Sequence, residues 1–117
     1  MHDNLLPIGR LAKAANISVD TLRYYDDIGL VTPIYISDES GYRYYAEVQA
    51  EQLEKIKELK SYGFSLRDIK KVLLMDEHTL HELYLKRYYE LIKEREKLQE
   101  TIDKLSEKIR TQQEELS

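Results

Sequence analysis

SVDTLRYY, residues 18–25, is the stretch that decides the fold, and GYRYY, residues 41–45, follows it in the next predicted element. Each stretch sets an arginine against tyrosines. A guanidinium supplies charge and a rigid fork of hydrogen-bond donors, and a phenol supplies a neutral donor on a flat ring. Because this combination suits a surface that grips phosphate and stacks on sugar, the two stretches predict a DNA-binding interface.

The residues around the first stretch predict a helix-turn-helix. Residues 8–15 carry apolar side chains at helical spacing, and Asn16 follows where the chain must turn sharply. Ser18 is placed to cap a second helix through the free amides of its first turn, and Gly29 is placed to end that helix. The residues of this second helix predicted to face inward are Val19, Leu22, Ile28 and part of Tyr25.

From Thr32 to Tyr45 the pattern predicts a two-stranded β-hairpin. Pro33 bars continuation of a helix, and residues 35–36 and 42–45 favour strand. The cluster at residues 38–41 between them is typical of a turn. A hairpin this small must lean on the helices, which would make it a wing. A connecting loop is the alternative.

Two shorter helices and one long helix are predicted after the hairpin. The third helix ends at Gly63, and Ser65 and Asp68 open the fourth as a capping box with Asp in place of Glu. The apolar residues that mark these two helices are Val48, Leu53, Ile56, Leu59, Leu66, Ile69, Val72 and Leu73.

The last helix carries apolar residues at spacings that alternate between four and three, which predicts a coiled coil. The apolar seam consists of Tyr84, Tyr88, Leu91, Leu98, Ile102, Leu105, Ile109 and Leu116. Arg95 and Gln112 interrupt the seam and are candidates for selecting its register. Nothing else in the chain could cover so long a seam, so we expect a homodimer, with the strand orientation left open by the periodicity.

Composition sets limits on the function. The chain of 117 residues has a net charge of −4 and contains no cysteine, which excludes disulfides and thiolate sites within it. Residues 1–75 carry a charge of −1 and residues 76–117 a charge of −3. DNA binding would therefore depend on a few basic residues converging on one face rather than on bulk basicity. The candidates for that face are Arg10, Lys13, Arg23, Arg43 and Lys60.

Several other classes of protein are disfavoured. The chain has no signal peptide and no membrane-spanning run, so we expect a cytoplasmic protein. His78 and His81 have spacing that could suit a metal, but exposed histidines at a helix start are usually solvated, and we expect no metal and no cofactor. Asp26 and Asp27 resemble a catalytic pair only superficially, since they lie within reach of Arg23 and no nucleophile–base pair stands out. We therefore predict that the chain is not an enzyme.

The order of these motifs resembles the MerR family of bacterial transcription regulators. The resemblance rests on IGRLA at residues 8–12, TLRYYD at 21–26, GL at 29–30, GYRYY at 41–45 and GFSL at 63–66. Among subgroups, the tyrosine-rich wing and absent cysteines look most like multidrug-responsive members. The family implies a mainly α fold: a winged helix-turn-helix domain over residues 1–75, with a second helix pair, and a coiled-coil dimerisation helix over residues 76–117.

The resemblance also implies partners and a mechanism. It implies an antiparallel coiled-coil dimer that binds a pseudo-palindromic operator in double-stranded promoter DNA and distorts an overlong promoter spacer so that RNA polymerase can use it, as an activator does. Multidrug-responsive members continue into an effector-binding domain, whereas this sequence stops in helical register. We expect either a truncated chain or a regulator that lacks a separate sensor.

The family motifs assign DNA-binding roles to nine residues. These are Ser18, Val19 and Thr21 at the start of the recognition helix, Arg23, Tyr24 and Tyr25 within it, Tyr42 and Arg43 in the wing, and Lys60 before the turn of the second wing. Asp20 departs from a position that is often basic, and it could accept a hydrogen bond from a cytosine amine or face solvent. Two rival interpretations remain: a coiled-coil module whose head binds protein, and an architectural DNA-binding protein.

Overall fold

The computed structural model describes residues 4–117, which form five helices and three strands. In chain order these are β1 (Leu5–Pro7), α1 (Ile8–Ala14), α2 (Val19–Asp27), β2 (Tyr35–Ile36), β3 (Arg43–Ala46), α3 (Val48–Ser61), α4 (Leu66–Val72) and α5 (Glu77–Leu116). The chain divides into two compact units between Leu74 and Met75. The predicted mainly α fold, with its wing, second helix pair and long last helix, is confirmed.

The helix-turn-helix forms where the local signals predict it. Asn16 has φ = 55°, the left-handed conformation that asparagine tolerates better than most residues, and it turns the chain after α1. The Ser18 side chain accepts a hydrogen bond from the Thr21 amide at 3.0 Å and so caps α2. Gly29, with φ = 72°, follows the end of α2. These three residues fix the limits of the recognition helix.

The sheet has three strands: the predicted two-stranded hairpin and one further strand that the sequence did not predict. Its order is β1-β3-β2, and both pairings are antiparallel. The hairpin itself is present, with Tyr35 opposite Tyr44 and Ile36 opposite Arg43. The strand that the pattern missed, β1, places Leu6 opposite Tyr45. With three residues and a terminal proline, β1 is too short to show the alternation from which strands are recognised.

The core of the first unit draws on α1, α2, α3, α4, β3 and the segment after α2. Its buried apolar residues are Leu11, Ala12, Ala15, Leu22, Tyr25, Leu30, Val31, Tyr45, Leu53, Ile56, Leu59, Ile69 and Val72. Leu22 is buried as predicted, whereas Val19 and Ile28 are only half-buried because they lie at the two ends of α2. Val48, which marks the start of the third helix, is exposed.

Polar side chains from the second helix pair close the ends of the first. Lys57 on α3 donates to the carbonyl of Ala15 at the end of α1. Lys70 on α4 donates to the carbonyl of Ile28 at the end of α2, at 3.0 Å. Lysines are favourable at helix C-termini because the last carbonyls lack intrahelical partners and carry partial negative charge. The two lysines therefore attach both helices of the helix-turn-helix to α3 and α4.

Gln49 makes a third polar connection. Its side chain is buried, accepts from the Ala46 amide at 2.8 Å and donates to the Thr32 carbonyl at 2.7 Å. Gln49 thus joins the end of β3 to the segment that leaves α2. A buried amide with both ends bonded is stable, whereas one left unpartnered would destabilise the fold.

The second unit is dominated by α5, a single helix of 40 residues. Asp76 caps it by accepting from the Thr79 amide at 2.7 Å, and this bond lowers the pKa of the Asp76 carboxyl. At 1.5 Å per residue the helix is roughly 60 Å long. None of its residues is buried within the single chain. The apolar seam along it is therefore uncovered, with Leu98 62% exposed and Ile102 51% exposed.

Candidate nucleic-acid interface

The start of α2 presents polar groups at the surface. Ser18 and Asp20 are exposed, while Val19 and Thr21 are half-buried. The hydroxyls of Ser18 and Thr21 lie 2.8 Å apart, in addition to the bond between the Ser18 hydroxyl and the Thr21 amide. The first turn is therefore ordered by its own cap, and its exposed side chains and amides face away from the core. Hydroxyls and helix N-terminal amides are typical phosphate contacts in protein–DNA complexes.

Arg23 and Tyr24 extend this surface along α2, whereas Tyr25 leaves it. Arg23 is exposed, and within residues 4–117 it forms no ion pair. Asp26 and Asp27 were predicted to lie within reach of Arg23, but Asp26 pairs with Arg43 instead. Tyr24 is 52% exposed and Tyr25 only 4% exposed. Adjacent helical residues point about 100° apart, so one of the two tyrosines must leave the core. A ring as buried as that of Tyr25 is a packing element and has little surface left for DNA.

The wing is tied to the recognition helix by an ion pair. Arg43 on β3 donates from Nε to Asp26 Oδ2 at 2.8 Å, with the arginine side chain 33% exposed and the aspartate 17%. This hydrogen bond raises the pKa of Arg43, and the charge of Asp27 acts in the same direction. Arg43 therefore stays cationic and is fixed to α2 through one of its five N–H donors. The sequence placed Arg43 in the wing but did not identify Asp26 as its partner.

Tyr45 lies under this surface and is completely buried. Its hydroxyl is the one buried side-chain polar atom without a hydrogen-bond partner in the described part of the chain. Burial raises the pKa of Tyr45, the charge of Asp26 adds to the rise, and the charges of Arg43 and Arg23 oppose it. The 2.8 Å ion pair between Arg43 and Asp26 joins β3 to α2. The recognition helix and the wing thus form one continuous site.

The tip of the wing carries exposed aromatic and aliphatic side chains. Tyr42 is 67% exposed, and its amide donates to the Ser40 hydroxyl at 3.2 Å. Ile34, just before β2, and Ile36, within β2, are also exposed. The sequence did not predict the exposure of these two apolar side chains. The rings of Tyr35 and Tyr44 lie 5.9 Å apart across the hairpin. Exposed apolar groups beside Arg43 can pack on sugar while the guanidinium meets phosphate.

Lys60 lies in the last turn of α3, where it is exposed. Gly63, with φ = 93°, follows that helix and donates to the Lys60 carbonyl at 2.9 Å. Tyr62 donates to Glu58 at 2.9 Å. Lys60 is thus held beside a tight turn. Arg10 and Lys13 are both exposed on α1.

The described residues show no metal site and no membrane-spanning helix. Within residues 4–117, no group of three or more His, Cys, Asp or Glu side chains is arranged to hold a metal ion. His78 lies 3.4 Å from Glu82, one helical turn away, and both are well exposed. No helix in this part of the chain is both long enough and apolar enough to span a membrane.

Comparisons with known proteins point to one family. The model of the "MerR HTH family regulatory protein" family matches residues 6–76. The Bacillus subtilis multidrug-efflux transporter 1 regulator is 38% identical over 84 residues, which cover 72% of this chain and 30% of that protein. Four curated relatives of this kind are covered over only 24% to 49% of their own length. The chain thus spans less than half of each.

Solved structures agree with this fold. The N-terminal part of the B. subtilis multidrug transporter activator, MtaN, superposes with a TM-score of 0.80 at 27% identity, covering 89% of this chain and 97% of that one. EcmrR, solved by cryo-EM as an EcmrR–DNA complex in EcmrR-RPo, gives a TM-score of 0.81 at 28% identity, covering 96% of this chain and 41% of that one. The similarity extends over most of the chain, including much of α5.

Proposed function

The chain belongs to the MerR family of helix-turn-helix regulatory proteins, and from this premise we propose that it is a transcription regulator that binds double-stranded promoter DNA. The observation that carries the proposal is the Asp26–Arg43 ion pair, which joins the recognition helix α2 to the wing in one surface. On that surface Arg23 and Tyr24 are exposed, and Arg43 keeps N–H groups that form no hydrogen bond to any of residues 4–117. Exposed guanidinium and phenol groups side by side suit the phosphates and sugars of a DNA backbone.

The proposed contacts divide by chemistry. Arg23, Arg43 and Lys60 meet phosphates, and Tyr24 and Tyr42 donate to phosphate or pack on sugar. Ser18, Val19 and Thr21 bring the start of α2 to base edges or nearby phosphates. Tyr25 supports the surface by packing beneath it rather than by offering its ring.

We further propose that the chain acts as a homodimer joined through α5. The seam named above has no buried member within one chain, although its residues are apolar over most of a helix of 40 residues. A second copy could cover this seam with an identical one. Dimerisation would also double the positively charged contacts, which a chain of net charge −4 needs for useful affinity.

The proposed mode of action follows from the family. A dimer on a pseudo-palindromic operator within a promoter spacer would bend and untwist the DNA and so bring the promoter elements into register for RNA polymerase. Deforming a site of this size costs several kcal/mol, which the contacts of both heads must offset. The EcmrR–DNA complex in EcmrR-RPo supports promoter DNA and the transcription machinery as partners.

The test is a gel-shift titration of the purified chain against its own upstream promoter region, in a salt series with mass measured by light scattering. We expect a dimer that prefers this region over random DNA and whose affinity falls steeply with salt. Arg23→Ala and Arg43→Ala should each weaken binding on the order of tenfold or more while the helical content is unchanged. Lys108→Ala, which removes a positive charge from α5, is the control and should bind as the parent does.

Three outcomes would contradict the proposal. If Arg23→Ala and Arg43→Ala both bind DNA like the parent chain, the surface described above is not the interface. If the dimer shows no preference for the promoter region over random DNA, the protein-interaction module, which the acidic charge and the uncovered seam favour, becomes the better interpretation. Tight binding to any bent DNA regardless of sequence would instead indicate an architectural role.

A further inference from the structure

We propose that Asp26 is a positioning residue for DNA binding: by accepting the Nε–H of Arg43, it holds the guanidinium so that the two Nη groups are presented to a backbone phosphate. This role rests on the proposed function, and it assigns a part in DNA binding to an acidic residue beside the basic residues Arg23, Arg43 and Lys60. Asp26 would not touch the DNA. It would act only through Arg43.

The geometry of the ion pair supports this role. The 2.8 Å bond to Asp26 Oδ2 engages Nε alone, and within residues 4–117 neither Nη atom has a hydrogen-bond partner. Nor are the Nη atoms buried, because the Tyr45 hydroxyl is the one buried and unpartnered side-chain polar atom in the same residues. The terminal fork of the guanidinium, which matches the two oxygens of a phosphate, is therefore accessible.

The surroundings explain why an anchor is useful here. Arg43 is in a short strand next to the edge strand β2, and the residue opposite it, Ile36, is exposed. A long side chain in such a place would sample many rotamers, and binding would have to order it. Asp26 is itself held firmly, being largely buried on a helix whose neighbours Leu22 and Tyr25 are core residues. A rigid acceptor on α2 thus orders an arginine on the wing before DNA arrives.

The direction in which removal of Asp26 changes DNA affinity distinguishes a positioning residue from one that competes with DNA for Arg43. A carboxylate near DNA repels phosphate, so a residue that merely competes for Arg43 would weaken binding and its removal would tighten it. A positioning residue gives the reverse result. Asp27 provides a matched control, since it is exposed, adjacent to Asp26, and acts on Arg43 through charge without a hydrogen bond.

The experiment measures operator affinity across a salt series for the full chain with Asp26→Ala, Asp26→Asn, Asp27→Ala, Arg43→Ala and the Asp26→Ala/Arg43→Ala double variant. We expect Asp26→Ala to weaken binding on the order of tenfold, the scale of ordering a long side chain at an interface. We also expect it to reduce the salt slope by roughly one for each head, as the loss of a phosphate contact does. Asp26→Asn keeps an acceptor for Nε and should retain most of the affinity, and Asp27→Ala should keep the slope and bind as tightly or more tightly.

The double variant checks that Asp26 acts through Arg43, because it should bind no more weakly than Arg43→Ala alone. Operator binding by Asp26→Ala that equals or exceeds that of the parent, with an unchanged salt slope, would overturn the proposal. Arg43→Ala and Arg23→Ala separate this failure from that of the proposed function. If both bind like the parent, the interface itself is misassigned, whereas if both weaken binding and Asp26→Ala does not, only the positioning role is lost.

A second measurement needs no substitution. In NMR spectra of the parent chain, the Arg43 Nε–H signal should exchange slowly with solvent both before and after addition of operator DNA, since Asp26 stays bonded to it. Rapid exchange of this signal, before or after DNA is added, would mean that Asp26 does not hold Nε, and it would overturn the proposal. This readout remains decisive should Asp26→Ala prove too unstable to purify.

Discussion

At the scale of single residues, Tyr45 is the core residue whose side-chain hydroxyl is expected to lower the stability of the fold. Its ring fills space beneath the proposed interface, but its hydroxyl is buried without a hydrogen-bond partner in residues 4–117. A buried unpartnered polar group destabilises a fold by about 1–3 kcal/mol. The nearby charges of Asp26, Arg43 and Arg23 act on this hydroxyl in opposite directions, so they do not replace a bonded partner.

Tyr45→Phe is therefore expected to leave the free energy of unfolding unchanged or to raise it by about 1 kcal/mol. The difference should widen at alkaline pH. Because the pKa of Tyr45 is raised above its ordinary value of 10.0, the folded state favours the neutral phenol. The stabilisation from that preference is present below pH 10 and is lost as the pH rises through the higher folded-state pKa.

Urea unfolding at neutral pH and above pH 10 measures both parts of this prediction. Tyr24→Phe is the control, since the exposed hydroxyl of Tyr24 should make little difference at either pH. A Tyr45→Phe chain that is less stable than the parent by more than about 1 kcal/mol would show that the hydroxyl has a partner in solution.

Gly29 is a position where backbone conformation restricts the residue type. Its φ of 72° is strained for an L-residue, and an added Cβ would lie 3.1 Å from Lys70 Nζ. The lysine end can move aside, so the conformational strain decides the result. We expect Gly29→Ala to reduce the free energy of unfolding by about 1–2 kcal/mol.

The matched control is Gly9→Ala. Gly9 lies within α1, and an added Cβ there meets nothing within 4 Å. This substitution should stabilise the chain by about 0.5–1 kcal/mol because alanine is the better helix former. Thermal unfolding of the two variants should shift in opposite directions, and a shift in the same direction would contradict the argument from φ.

At the scale of elements, the two lysine bonds determine how the helix-turn-helix is attached to α3 and α4. Lys70 donates to the Ile28 carbonyl, which follows α2. Lys70→Met keeps the apolar stem and removes only the donor, so we expect a loss of about 0.3–1 kcal/mol in stability. Faster amide exchange at the end of α2, where the Ile28 amide donates to Tyr24, should accompany it.

Lys71→Met is the control for this substitution, since Lys71 is the exposed neighbour and its side chain makes no hydrogen bond to any of residues 4–117. Amide exchange measured by NMR on both variants separates a local effect on α2 from a general loss of charge. Equal exchange rates at Ile28 in the two variants would show that the Lys70 bond does not hold the end of the helix.

The limits of the helices were predictable because their signals are local. Asn16, Ser18 and Gly29 set the turn, the cap and the end of α2 within a few residues of where they act. At α4 the prediction was confirmed in part: Ser65 Oγ accepts from the Asp68 amide at 3.1 Å, but within residues 4–117 the Ser65 amide does not donate to the Asp68 carboxylate. Local chemistry sufficed where the interacting groups are close in sequence.

The connections between elements were not predictable for the opposite reason. The Lys57 and Lys70 bonds each join residues 42 apart, and Arg43 and Asp26 are 17 apart. Such bonds depend on how helices pack, which no local pattern encodes. The short strand β1 exists only through its pairing with β3. The sequence therefore identified the recognition helix and the wing, but not the aspartate that joins them.

At the scale of the whole molecule, the uncovered seam of α5 makes the assembly the central question. Seven of its residues, from Tyr88 to Leu116, are at least 41% exposed in the single chain. Burying an aliphatic side chain stabilises an interface by about 1.5–3 kcal/mol. In a homodimer each substitution acts twice, so one change in the middle of the seam should be decisive.

Ile102→Lys is the substitution that tests this expectation. It should weaken dimerisation on the order of a hundredfold or more, because each of two seams loses a buried side chain and gains a charge that resists burial. Analytical ultracentrifugation would then show monomers at concentrations where the parent is dimeric, and the helical content of residues 4–74 should be unaffected, since Ile102 lies outside that unit.

Glu100→Lys is the matched control, because Glu100 flanks the seam and is exposed on the same helix. It changes the charge of α5 more than Ile102→Lys does, yet it should leave the dimer largely intact. Operator binding links this result to function. If Ile102→Lys is monomeric but binds the promoter as tightly as the parent, dimerisation is not what compensates for the acidic charge, and one head must supply all of the affinity.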